Sequence, residues 1–327
     1  MLNKQKSSLH WSIIAVLVVI AFLFFLPYIA SIYSVSLMTE ILILALFALS
    51  LNLIMGYTGM VSFGHAMFYG LGAYASAFVL VKWSIQSIEF AILMGIVWSL
   101  IVGLFVGYLS VRTHYIFFAM ITLGFGQVLH SISIKWYTVT GGSDGIIGVS
   151  RPDLFGFINI SPTINYYYFV LGVVAISTYI LWRIKNSPFG QTLKAIRDNP
   201  QRAEFVGINV QKHQLIAFII AAMFAGVAGS MYGPYAYQAS PEILIWHKSG
   251  EAVFMVLLGG AFNFFGPLVG ALAYVLIHDF ITKYTIYWMI FMGSILVSIV
   301  LFFPGGIVGF FNDYYNKLFK KGIAIKQ

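Results

Sequence analysis

The chain has 327 residues, 60% of them hydrophobic and 9% charged, with a formal net charge of +8 and no cysteine. About a quarter of the residues in soluble domains are charged, so a soluble globular fold is excluded, and the missing cysteines exclude disulfides, thiolate metal sites and cysteine nucleophiles. The basic residues cluster beside apolar runs, which reads as membrane topology and not as a nucleic-acid surface.

In chain order, Lys4 and Lys6 precede an apolar run over 12–31. It is long, ends in Leu26-Pro27-Tyr28 and lacks a small-x-small cleavage site, so it reads as an uncleaved first span and not as a signal peptide. Further spans are predicted at 36–55, 60–81, 88–110, 114–134, 166–184, 214–233, 250–264, 266–282 and 286–303. The eighth is short and rich in glycine, which suits a broken or re-entrant helix. No run shows the alternation of a membrane β-strand. The expected fold is an all-α polytopic membrane protein of about ten helices (8–10), a single transmembrane domain over 1–327.

Polar or small residues inside spans are candidates for a solute path: Asn52, Ser62, Gly64, His65, Gln127 and His130. His65, between Gly64 and Ala66, reads first as a packed, hydrogen-bonded histidine. The pairs Gly103/Gly107, Gly229/Gly233 and Gly266/Gly270 have GxxxG spacing, and Ala222, Gly226 and Gly229 continue one ridge, so close helix packing is expected there. Three acids fall near span ends, Glu40, Glu251 and Asp279, beside Lys248 and Lys283. They are candidates for a docking contact at the outer surface, or plain interfacial charges.

Two loops stand out. The 135–165 loop carries turn chemistry (Gly141 to Gly145, Arg151-Pro152, Asn159 to Pro162) and is expected to form a structured external lid. The 183–213 loop holds Arg183, Lys185, Lys194, Arg197, Arg202 and Lys212, too many charges to lie in a bilayer. With Lys4 and Lys6 at one end and Lys317, Lys320, Lys321 and Lys326 at the other, ten crossings put all three basic regions, and both termini, in the cytoplasm.

Within 183–213, Ser187 is placed to cap a helix opened by Pro188, which should stop before Pro200. Asn199 then caps a second helix over Gln201 to about Val206, and Gly207 is placed to end it in the left-handed region. Two short helices at a proline corner, with Leu193, Ile196, Ala203 and Val206 on one face, form a compact docking knob.

The order Ala195, Arg197, Asn199, Ala203, Glu204, Gly207, Ile208 resembles the coupling segment of LivM-type permease subunits in bacterial ABC importers of branched-chain amino acids. Similar blocks follow the family's order: GYTGMVSFGHAMFYGLGAY (Gly56 to Tyr74), ITLGFGQVLHSI (Ile121 to Ile132), TGGSDGIIGVSRP (Thr140 to Pro152), GEAVFMVLLGGAFNFFGPLVGA (Gly250 to Ala271) and FFPGGIVGF (Phe302 to Phe310). Where such segments often carry paired alanines, this chain has Arg202-Ala203, and its front end is compact. The resemblance implies a permease that pairs with a second, different, LivH-like permease, with two cytosolic ABC ATPases and with a soluble solute-binding protein, in the bacterial cytoplasmic membrane. It implies ATPase coupling through Ala195, Arg197, Asp198, Asn199, Pro200, Arg202, Ala203, Glu204 and Gly207. ATP and Mg would be held by the partner ATPases, with no cofactor in this chain, since no GxxxxGK[ST] loop occurs. Related permeases serve urea or short-chain amides, which is the alternative solute class.

Two other classes fit less well. A secondary transporter coupled to an ion gradient usually carries ionisable groups at midplane, where this chain has almost none. An intramembrane enzyme would need a motif such as HExxH or paired acids; Ser62 and His65 share a helix face but have no orienting acid.

Overall fold

The computed structural model describes residues 21–113, 115–303 and 305–310. The expected basic clusters at Lys4, Lys6 and Lys317 to Lys326 lie outside them. The chain is an all-helical polytopic membrane protein. Helix α1 is described over 21–29. It is followed by α2 (Ile32–Thr58), α3 (Ala66–Ala77), α4 (Ile88–Ser110), α5 (Tyr115–Lys135) and the short α6 (Tyr137–Thr140). After a two-residue strand β1 (Ile146–Ile147) come α7 (Thr163–Asn186), α8 (Pro188–Asp198), α9 (Pro200–Phe205) and α10 (Val210–Ala236). The partner strand β2 (Gln238–Ala239) precedes α11 (Trp246–Gly259), α12 (Gly266–Thr282) and α13 (Trp288–Phe302).

Among the described residues five helices are long and apolar enough to cross a membrane: α2, α4, residues 116–135 of α5, α7 and α10. Residues 66–82, α12 and 288–299 of α13 are shorter apolar helices. Helix α11 has 14 residues, about 21 Å at 1.5 Å per residue, less than a hydrocarbon core of about 30 Å. It turns through 260–265 and packs back along α12 as a helical hairpin.

Three boundaries differ from the sequence expectation. Helix α2 runs to Thr58 and is stopped by Gly59 at φ 76, a left-handed position that glycine adopts without strain. The predicted span at 60–81 therefore becomes an irregular stretch to His65 followed by α3, which ends in a π-helical turn over Phe78–Lys82. The apolar stretch that suggested a helix over 250–264 instead ends at Gly259.

Helices α2 and α10 make the centre. Helix α2 is buried almost throughout, against α7, α10, α11 and α12, while α10 packs on α2, α3 and α4. Two of the three GxxxG pairs sit where backbones meet: a Cβ on Gly229 would overlap the Tyr69 carbonyl oxygen, and one on Gly270 the Met255 carbonyl oxygen, whereas Gly107 faces the Leu215 and Phe218 side chains. Such approach supplies the van der Waals contact that joins helices where lipid gives no hydrophobic drive.

The bundle has two unlike ends. At one, β1 pairs antiparallel with β2, Ile146 opposite Ala239. Arg151 is buried there, donating from Nε to the Pro234 carbonyl at 3.0 Å and from Nη2 to the Tyr235 carbonyl at 3.3 Å. Its guanidinium lies between the Tyr166 and Tyr237 rings, 4.3 and 4.6 Å from their centroids. This clamp closes the 146–161 loop over the end of α10. At the other end, α8 and α9 form the expected knob beneath the C-terminus of α2.

Candidate functional site

The knob forms as its caps dictate. Ser187 Oγ accepts from Gly190 N at 3.3 Å and Pro188 opens α8, while Asn199 Oδ1 accepts from Arg202 N at 2.8 Å and Pro200 opens α9. Each cap satisfies an amide that a helix start leaves without a partner. Gly207 takes φ +87 and turns the chain toward α10, whose own cap is Asn209, accepting from Lys212 N at 2.9 Å. Leu193 packs into the main core, and Ile196 and Ala203 form a small cluster with Val210. Val206, expected on that face, is instead 73% exposed, and Phe205 beside it is 90% exposed. Helix α9 has six residues, under two turns, so helical periodicity is a poor guide to its faces.

The nine residues expected in coupling do not share one surface. Ala195, Asp198, Arg202, Glu204 and Gly207 are exposed on the knob. Ala203 is buried inside it, and Asn199 and Pro200 build the corner. Arg197 faces the bundle. Its Nη1 donates to the Gly56 carbonyl at 2.9 Å, Nε and Nη2 reach Asp198 Oδ1, and the guanidinium lies 5.1 Å from the Phe262 ring centroid. It therefore ties α8 to the last turns of α2 and to the α11–α12 turn. Gly56 has no room for a side chain, because a Cβ would overlap Ala261 O and Asn52 Oδ1.

Above this tie the polar candidates gather around the break between α2 and α3. Asn52, Ser62 and His65 are fully buried. His65 Nε2 lies 2.9 Å from Ser50 Oγ, and its ring stacks on Phe47. The Asn52 amide, Ser62 Oγ and His65 Nδ1 have no protein partner. Gly64 lies directly against α5, where a Cβ would overlap Thr122 O. Helix α3 starts with Ala66 N donating to Ser249 Oγ of α11 at 2.8 Å, a cap from 183 residues away. Only Gln127 and His130, both on α5, are partly exposed; Gln127 lines a groove with Ser131, Lys135 and Trp136.

The three acids at the loop end line one cavity of about 310 Å³. Glu251 pairs with Lys248 at 2.7 Å, and Asp279 with Lys283 at 2.6 Å and with the Tyr33 hydroxyl. Hydrogen bonding to Asp279 raises the Lys283 ammonium above its usual range. Glu40 accepts from the Tyr235 hydroxyl at 3.2 Å. Ser36, Tyr235, Tyr274, His278 and Thr282, which add to the polar lining, carry no signal in the sequence beyond their position near span ends.

With this geometry in view, the chain can be set beside known proteins. The family described as branched-chain amino acid transport system / permease component matches residues 33–300. The high-affinity branched-chain amino acid transport system permease protein LivM of Salmonella typhimurium is 26% identical over 304 residues, covering 86% of this chain and 71% of that one. LivM of Escherichia coli is 25% identical over the same length and shares. The permease protein LivH of the same system in Escherichia coli is 25% identical over 288 residues, 81% of this chain and 91% of that one. No solved structure matches.

Proposed function

Since the chain belongs to the family of branched-chain amino acid transport permease components, we propose that it forms half of the membrane path of an ATP-driven importer of branched-chain amino acids. A LivH-like chain supplies the other half, two cytosolic ABC ATPases drive it, and a soluble binding protein delivers the solute. In this reading the protein crosses the bacterial cytoplasmic membrane ten times with both termini inside, the knob is cytosolic and the Arg151-clamped loop is external. Nucleotide and magnesium belong to the partners. The ATPases move the knob, Arg197 passes that motion to α2 and to the α11–α12 turn, and the bundle rocks between two states. Gln127 and His130 face the path on α5, while Asn52, Ser62, Gly64 and His65 are the packed polar hinge behind it. The Asp279–Lys283 pair, at the rim of the cavity, meets the binding protein.

One observation carries this reading: a doubly capped, well-packed knob that leaves Phe205 and Val206 in water. A connecting loop gains nothing from an exposed phenylalanine on a rigid corner, whereas an apolar anchor is what a partner's pocket takes. Phe205→Asp is expected to abolish co-purification of the ATPases while leaving the permease inserted and monodisperse. ATPases that stay bound at wild-type yield would overturn the assignment.

A further inference from the structure

The cavity at the loop end has a polarity that docking of a soluble protein does not explain. One of its ion pairs is recessed: the Lys248 and Glu251 side chains are 18% and 23% exposed. At about 310 Å³ it is at the small end of ligand pockets, which run from about 300 to 1,000 Å³. Among the described residues Glu40 takes part in no ion pair, and its only hydrogen bond comes from the neutral Tyr235 phenol. The Lys248 ammonium that acts on Glu40 is already paired with Glu251, so two carboxylates share one cation and the site is suited to receive a second positive group. Lys248 spends one of an ammonium's three donors on Glu251. Leu37, Leu44 and Val275 supply an apolar wall. An acceptor for an ammonium, a donor for a carboxylate and an aliphatic wall in one small cavity complement a zwitterion with a branched alkyl side chain.

Resting on the amino-acid import proposed above, we infer that this cavity is a solute site of the permease itself, with Glu40 receiving the α-ammonium group, Lys248 the α-carboxylate, and Leu44 and Val275 the side chain of an aliphatic amino acid. The test uses the assembled permease–ATPase complex in lipid nanodiscs without its soluble receptor, and equilibrium dialysis of labelled L-leucine. Saturable binding is expected. Glu40→Gln, which keeps shape and removes charge, should weaken it about tenfold or more, the loss of a charged hydrogen bond. Two analogues that each keep one charge, 3-methylbutylamine and 4-methylpentanoate, should both compete at least about tenfold less well than leucine for the same reason. No saturable leucine binding, binding unchanged in Glu40→Gln, or 4-methylpentanoate competing as well as leucine would each overturn the site. Leucine uptake by the complete wild-type system in proteoliposomes is measured separately. Its absence would overturn the proposed function, whereas uptake without receptor-free binding would overturn only this cavity.

Discussion

Arg197 was expected among residues that touch an ATPase, and its side chain points the other way, to the Gly56 carbonyl and the Phe262 ring. A residue that joins the knob to the bundle transmits force without forming the contact that receives it. Arg197→Ala should therefore leave ATPase co-purification intact while uptake falls about fivefold or more, the low end of a coupling free energy of about 1–3 kcal/mol. Equal loss of both would make Arg197 part of the docking surface. Gly207 offers a second test on the same corner. Its φ of +87 with open space around it means that a side chain there meets backbone strain and no clash. Gly207→Val should cost about 1–2 kcal/mol of local stability, read as faster hydrogen exchange over 200–209. Exchange at the wild-type rate would show that the corner does not depend on glycine.

At the scale of elements, helix ends set by local chemistry were legible, and those set by distant partners were not. Ser187-Pro188 and Asn199-Pro200 announce α8 and α9 because cap and first residue are neighbours in the chain. The start of α3 is hidden, because Met60, Val61 and Phe63 read as part of an apolar run and the hydroxyl that receives Ala66 N is Ser249. Hydropathy reports solvent preference, not where a backbone breaks. The three acids were expected near span ends, but only folding shows that α2, α11 and α12 bring them around one cavity, which α10 and α13 also line. The glycine ridges were legible as packing devices, and their consequences differ from site to site. Gly229→Ala must push α3 and α10 apart against the Tyr69 carbonyl, at about 1–3 kcal/mol. Gly172→Ala on α7 meets nothing within 4 Å and should stabilise that helix by about 0.5–1 kcal/mol. Thermal unfolding in detergent compares the two, and Gly229→Ala must melt lower.

For the whole molecule, α2 fixes the geometry: its 27 residues extend about 40 Å, with Tyr33 and Glu40 at the cavity and Gly56 at the knob. Helices α4, α5 and α7 keep apolar outward faces, with Phe105, Phe117 and Ile176 exposed, as spans that meet lipid or a second permease do. The two ends should therefore lie on opposite sides of the membrane. The chain has no cysteine, so single replacements report their own position. An impermeant maleimide added to intact cells should label Ser143→Cys and not Arg202→Cys; the reverse would invert the threading.

The Arg151 clamp has a consequence for the conditions the protein meets. It is held by main-chain carbonyl oxygens and by the faces of two aromatic rings, and among the described residues no carboxylate pairs with it. A latch built on an aspartate would loosen as the medium acidified, because the proton would cancel half of the attraction. Here a falling pH finds nothing on the receiving side of Arg151 to neutralise. The acid-sensitive contact of this loop lies at its tip, where Phe155 N donates to the Glu89 carboxylate, so acid should loosen the tip while the clamp at the end of α10 holds.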